Sequence, residues 1–137
     1  MKFTPRPEFT ERDTVWVLRK ARALVKRGWV RDKWAKDAAG RVVHYDSPEA
    51  CAFCLLGAIF RAEAEYGNPT YALEPGGYDK ARATYYPPNR WLEQALWHRM
   101  GQPYRSSLRL WHDAPERTQA EVLALLDLAI EEARGPV

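Results

Sequence analysis

Four residues in this chain have side chains that do chemistry in other proteins: Cys51, Cys54, His112 and Asp113. Cys51-x-x-Cys54 has the spacing of half a zinc site or of a dithiol redox motif. A structural zinc needs four ligands, usually a second Cys pair or two spaced His, and here His44, His98 and His112 lie scattered. A redox CxxC opens a helix after a strand inside a βαβ unit, and that surrounding pattern is missing. Ala52, Phe53, Leu55 and Leu56 flank the pair, which favours buried core cysteines over a metal or redox site. Trp111-His112-Asp113 sets an imidazole beside a carboxylate, and with a thiol these could form a nucleophilic site. Neighbouring residues point in different directions, however. Asp113 before Ala114-Pro115 reads better as a turn residue, and His112 as a surface or partly packed one. No phosphate loop, dinucleotide fingerprint, HExxH or GxSxG is present. Glu63, Glu65 and Glu93 fall at positions that read as solvent-exposed. The expectation is a protein that is not an enzyme, with no catalytic residue, no metal and no cofactor.

Four helices are predicted to frame these residues. Thr10 or Asp13 caps the first, which runs to Arg27 and stops at Gly28. Its apolar stripe is Val17, Leu18, Ala21, Leu24 and Val25, while Arg12, Arg19, Arg22 and Lys26 gather on the opposite side. Between Trp29 and Tyr45 the period changes, and Trp34–Lys36 with Arg41–Tyr45 predicts a β-hairpin around Gly40. Ser47-Pro48-Glu49 has the pattern of a helix start, giving a second helix to Tyr66 with Cys51, Cys54, Leu55, Ala58, Ile59 and Ala62 inward. Gly57 within that helix costs about 1 kcal/mol relative to Ala, so another element should approach closely there. Asn89 caps a third helix to Met100, with Trp91, Leu92, Ala95 and Leu96 inward. Thr118-x-x-Glu121 is a capping box opening the last helix, whose core face is Val122, Leu125, Leu126, Ala129, Ile130 and Ala133. Residues 110–117 read as a tight turn leading into it. The fold class is therefore α+β, mainly α: a single domain over 1–137, with an extended lead at 1–9 and a long irregular loop at 68–88.

Size and composition agree. The chain has 137 residues, 46% hydrophobic and 28% charged, which suffices for one core. No apolar run approaches the roughly 18 residues of a membrane span. The first residues lack the apolar stretch of a signal peptide, which points to a cytoplasmic location. Arg outnumbers Lys, and Asn, Gln, Met and Ile are sparse, a bias produced by a high-GC genome or a thermophilic host. The net charge is +3, but residues 1–36 carry 11 Lys/Arg against 4 Asp/Glu while the rest is net −4. Such asymmetry marks either a solvated helix face or a surface for an acidic partner.

The 68–88 segment is rich in Tyr and Arg, and Tyr, Trp and Arg dominate interface energetics. Tyr78, Arg82, Tyr85, Tyr86 and Arg90 thus join Arg12, Arg19, Arg22 and Lys26 as candidate partner-binding residues. The same aromatics could pin the loop to the domain or stack on single-stranded bases.

Three stretches, Leu24-Val25-Lys26-Arg27-Gly28-Trp29, Cys54-Leu55-Leu56-Gly57-Ala58 and Trp111-His112-Asp113-Ala114-Pro115-Glu116-Arg117-Thr118, resemble an uncharacterised family of small proteins of high-GC bacteria and their phages. There Trp-Asn-Asp is commoner than Trp-His-Asp. The resemblance covers most of the chain outside 68–88 and implies a fold but no chemistry. In size, compositional bias and lack of active-site motifs the chain is also similar to a phage inhibitor of a thermophilic host's RNA polymerase, which binds the β-subunit flap and interferes with sigma-dependent promoter recognition. That likeness implies a host-protein regulator of phage origin. The alternatives are a nucleic-acid binder using the basic first helix, and a small enzyme or metal protein built on Cys51, Cys54 and His112.

Overall fold

In a computed structural model, which describes residues 11–66 and 87–135, the chain is mainly helical with one small antiparallel sheet. The first helix, α1 (Glu11–Arg27), buries the anticipated stripe of Val17, Leu18, Ala21, Leu24 and Val25. It ends where the Gly28 N–H still reaches the Leu24 carbonyl. Gly28 is required at this point by crowding: a Cβ there would lie 2.5 Å from the Cys51 carbonyl oxygen.

The predicted hairpin forms between β1 (Ala35–Lys36) and β2 (Val42–Val43), with Ala35 opposite Val43. Asp37 ties its turn, accepting the N–H groups of Ala39 and Arg41. These bonds, that to Arg41 foremost, hold its carboxyl below the usual range. Gly40 supplies the positive φ of +82°.

A third strand, β3 (Ala52–Phe53), pairs with the other side of β1 and gives the order β2-β1-β3. It replaces the anticipated first turns of the second helix. Ser47 does cap a turn, its Oγ accepting the Glu49 N–H, but the chain then enters the sheet. The Cys51 N–H donates to the Lys36 carbonyl, and Gly28 and Val30 bracket Phe53 from the other edge. Strand pairing from two sides outweighs a local helix-start signal. The helix α2 therefore runs Leu55–Tyr66, and Cys51 is exposed at the sheet rather than buried on a helix.

The helix α3 spans Pro87–His98 and buries Leu92, Ala95 and Leu96. Asn89, expected as its cap, lies inside it and is 4% exposed. A further helix, α4 (Leu108–Asp113), with Ser107 as N-cap over the Leu110 N–H, takes up the first half of the stretch expected as a tight turn over 110–117. The last helix, α5 (Gln119–Ala133), carries the predicted capping box with both reciprocal bonds present. It buries all six anticipated core residues. α1 packs between α2 and α5, and α3 closes on α5. Phe53, Leu55, Ile59 and Phe60 fill the centre with Leu92, Leu125 and Leu126. Glu63, expected at the surface, is fully buried in α2. The lead at 1–9 and nearly all of the 68–88 loop lie outside the described residues.

Candidate functional site

The three stretches that carry the family resemblance meet at one place. α4 delivers Trp111, His112 and Asp113; the segment after α1 delivers Trp29, Arg31 and Asp32; and Cys54 and Leu55 open α2.

His112 is the hub of this cluster and is 3% exposed. Its Nε2 accepts the Trp29 indole N–H at 2.8 Å and the Leu55 backbone N–H at 3.3 Å. Two donors on one nitrogen require that nitrogen to be unprotonated, so the proton sits on Nδ1 and is donated to Asp113 Oδ1 at 2.8 Å. Burial pushes the imidazole pKa below its ordinary value, more than the Asp113 carboxylate raises it. The same Asp113 oxygen accepts the Asp32 N–H at 3.3 Å. The adjacent His112 and Asp113 side chains, expected to diverge, act on each other because both converge on the 29–32 segment.

The rest of the motif is also engaged. Arg31 reaches the Ala114 and Pro115 carbonyls. Arg117 lies over the Trp111 ring at 3.9 Å, donates to the Trp111 carbonyl at 2.8 Å and pairs with Glu121 at 2.9 Å. Residues 111–118 thus form a clasp, with side chains and carbonyls committed to holding the 29–32 segment, α2 and α5 together.

Cys54 is part of this clasp. It stands at the N-cap of α2, its Sγ accepting the Gly57 N–H at 3.2 Å. Burial pushes its thiol pKa up to about 11 against that bond, so it stays protonated at neutral pH and is a poor nucleophile. Gly57 is where the anticipated close approach occurs: a Cβ there would collide with the Trp34 carbonyl oxygen. Among the described residues no group of three His, Cys, Asp or Glu is placed to hold a metal. The arrangement can position backbone and exclude water; His112 has no free lone pair with which to take a substrate proton.

Beside the clasp lies a cleft of about 160 Å³ lined by Asp32, Lys33, Trp34, Cys54, Leu56, Leu108 and Arg109, with His112 and Asp113 at its wall. Asp32, Lys33, Trp34 and Arg109 were not singled out in the sequence. Only the helical spacing of Arg109 and Asp113 hinted that they share a face, and the helix itself was missed.

The basic row of α1 is divided. Arg22 forms a two-pronged ion pair with Asp127 of α5, so it helps fasten the helices. Arg19 and Lys26 are exposed, as is Arg90 on α3, where it lies within electrostatic reach of Glu93. The Arg12 side chain and Tyr78, Arg82, Tyr85 and Tyr86 lie outside what is described. A second, broad groove runs along α1, lined by Val15, Trp16, Arg19, Lys20, Tyr66 and Arg134. Trp16, 40% exposed, stands 4.8 Å from the Tyr66 ring. The Tyr66 hydroxyl is anchored on Asp13, and Lys20 pairs with Glu65. Helical spacing in α1 marks the buried stripe and carries no signal for Trp16, which the helix leaves uncovered.

Fold and clasp together define a small, mainly helical α+β protein with a buried His112 network joining its elements. The chain belongs to DUF6197, a family of unknown function, whose model matches residues 10–132. No curated protein and no solved structure matches it. No helix among the described residues is long and apolar enough to cross a membrane.

Proposed function

We propose that this protein is a non-enzymatic binding module that regulates a partner protein through the outer face of α1. The observation that carries this reading is the exposed Trp16, set beside Tyr66 in a groove bordered by Arg19, Lys20 and Arg134. An aromatic anchor beside arginines is the composition of interaction hot spots. Asp13 also lines the groove but holds the Tyr66 hydroxyl, and Lys20 is paired with Glu65, so Arg19 and Arg134 favour an acidic partner surface. Against an enzymatic role, the His112–Asp113 pair has its imidazole lone pair occupied, and the nearby Cys54 thiol is protonated.

The particular partner we propose is bacterial RNA polymerase at its β-flap, with this protein encoded by a phage and acting in the host cytoplasm. Direct binding to purified polymerase, together with sigma-dependent promoter transcription, tests it. Trp16→Ala and Arg19→Glu should each weaken binding by about tenfold or more, the loss seen at interface anchors. Undiminished binding by both variants removes the α1 face, and no binding by the parent chain removes polymerase as the partner.

A second reading draws on the same groove, since Trp16 and Tyr66 beside Arg19 could stack single-stranded bases. Oligonucleotide binding that falls steeply with salt would establish it in place of the first.

A further inference from the structure

The cleft beside the clasp has both a size and a charge pattern. Its floor is apolar, made by Trp34, Leu55, Leu56 and Leu108 with the Cys54 thiol. Its volume of about 160 Å³ is close to the roughly 150 Å³ that accommodates one benzene ring, so it holds one compact apolar group. Its rim carries Lys33 and Arg109 together with Asp32 and Asp113.

Opposite charges stand side by side on this rim. Asp32 and Asp113 are neighbours, because the Asp32 N–H donates to Asp113 Oδ1. Arg109 lies four residues before Asp113 on α4, one turn away on the same face. No salt bridge among the described residues engages Asp32, Lys33 or Arg109. Asp32 is held at φ +66°, a conformation costly for a side-chain-bearing residue and concentrated at binding sites.

We propose that this cleft binds a free α-amino acid with a compact apolar side chain. The side chain fills the floor, the ammonium group meets Asp32, and the carboxylate meets Arg109, with Lys33 adding to the positive end. A ligand of one sign would face two rim groups of its own sign, whereas an amino acid carries both charges on one carbon and meets adjacent opposite charges. A peptide terminus brings only one of the two charges and fits less well. This site is separate from the α1 groove, so its test does not depend on that reading.

The experiment is calorimetric titration of the full chain with L-leucine, L-leucinamide and N-acetyl-L-leucine. Two variants, R109Q and D32N, complete a cycle. Both positions are exposed, and Asn suits the left-handed backbone at 32, so both proteins should keep the parent's Tm. The parent is expected to bind L-leucine saturably and each capped analogue about tenfold or more weaker, the usual loss for a charged contact. R109Q should lose only the preference over leucinamide, and D32N only the preference over N-acetyl-leucine. The proposal is overturned if L-leucine does not saturate, if the capped analogues bind as well as leucine, or if both variants keep both preferences.

Discussion

Replacing His112 by Ala is predicted to be among the most destabilising single changes in this protein. The variant strands two donors, the Trp29 indole N–H and the Leu55 N–H, which lose the acceptor they share. Each stranded donor costs about 1–3 kcal/mol, and the space vacated by a 3%-exposed ring adds a cavity term. The expected loss is about 3–5 kcal/mol, a large part of the ~5–15 kcal/mol that stabilises a typical domain. Urea denaturation followed by tryptophan fluorescence measures it. His112→Gln places an amide oxygen where Nε2 stands, and should recover all but about 1 kcal/mol. A cycle with Trp29→Phe should give a coupling of about 1–2 kcal/mol.

The same geometry fixes the pH response. A proton on Nε2 would oppose both N–H donors, and burial lowers the folded pKa below the ordinary 6.5. The folded state therefore prefers the neutral ring. This contribution is present above pH 6.5 and is lost as the pH falls below it toward the folded value. Burial also raises the Glu93 carboxyl, so the difference between parent and His112→Gln curves is used to isolate the imidazole. A loss below about 1 kcal/mol in His112→Ala, or additivity in the cycle, would refute the shared-acceptor account.

Other positions give independent checks. Gly57→Ala should destabilise by about 3 kcal/mol or more despite Ala's better helix propensity, because the Trp34 carbonyl is backbone and cannot swing away; a neutral result in thermal melts would contradict the contact. Thr118→Ala should cost about 1 kcal/mol by removing the cap on α5, readable in the same melts. With iodoacetamide at neutral pH, Cys51 should be labelled promptly and Cys54, whose thiol is held protonated, far more slowly until the chain unfolds, as peptide mass mapping would show. Arg22→Ala should cost no more than about 1 kcal/mol, since its ion pair with Asp127 is largely solvated.

What the sequence revealed depended on how local the cause was. α1, the hairpin and α5 were legible because each is encoded within its own span, by a stripe, a turn glycine and a capping box. The start of α2 was misplaced because Ser47-Pro48-Glu49 carries a real local signal that β1 and Gly28 override from a distance. α4 went unseen because six residues present little periodicity and Leu110 points outward, 66% exposed. Asp113 was assigned to a turn for the same reason. His112 was misjudged as partly exposed, since nothing near it in sequence shows that Trp29 and Leu55 would converge on it. The cleft was illegible for a similar reason: its walls come from three separate stretches.

The clasp also dictates when this chain can finish folding as it is made. His112 and Trp29 stand 83 positions apart, and closing so long a loop costs about 4 kcal/mol in chain entropy. α1 leaves the ribosome ahead of the other described elements, with Val17, Leu18, Leu24 and Val25 ready to be covered, yet one of its two main partners, α5, is translated after all of them. Until residues 111–126 have cleared the exit tunnel, the segment around Trp29 is held only by its pairing with Phe53, and the stripe of α1 stays partly bare. Nascent chains arrested before that point should therefore be held by chaperones and cut readily by proteases, and protection should arrive in a single late step.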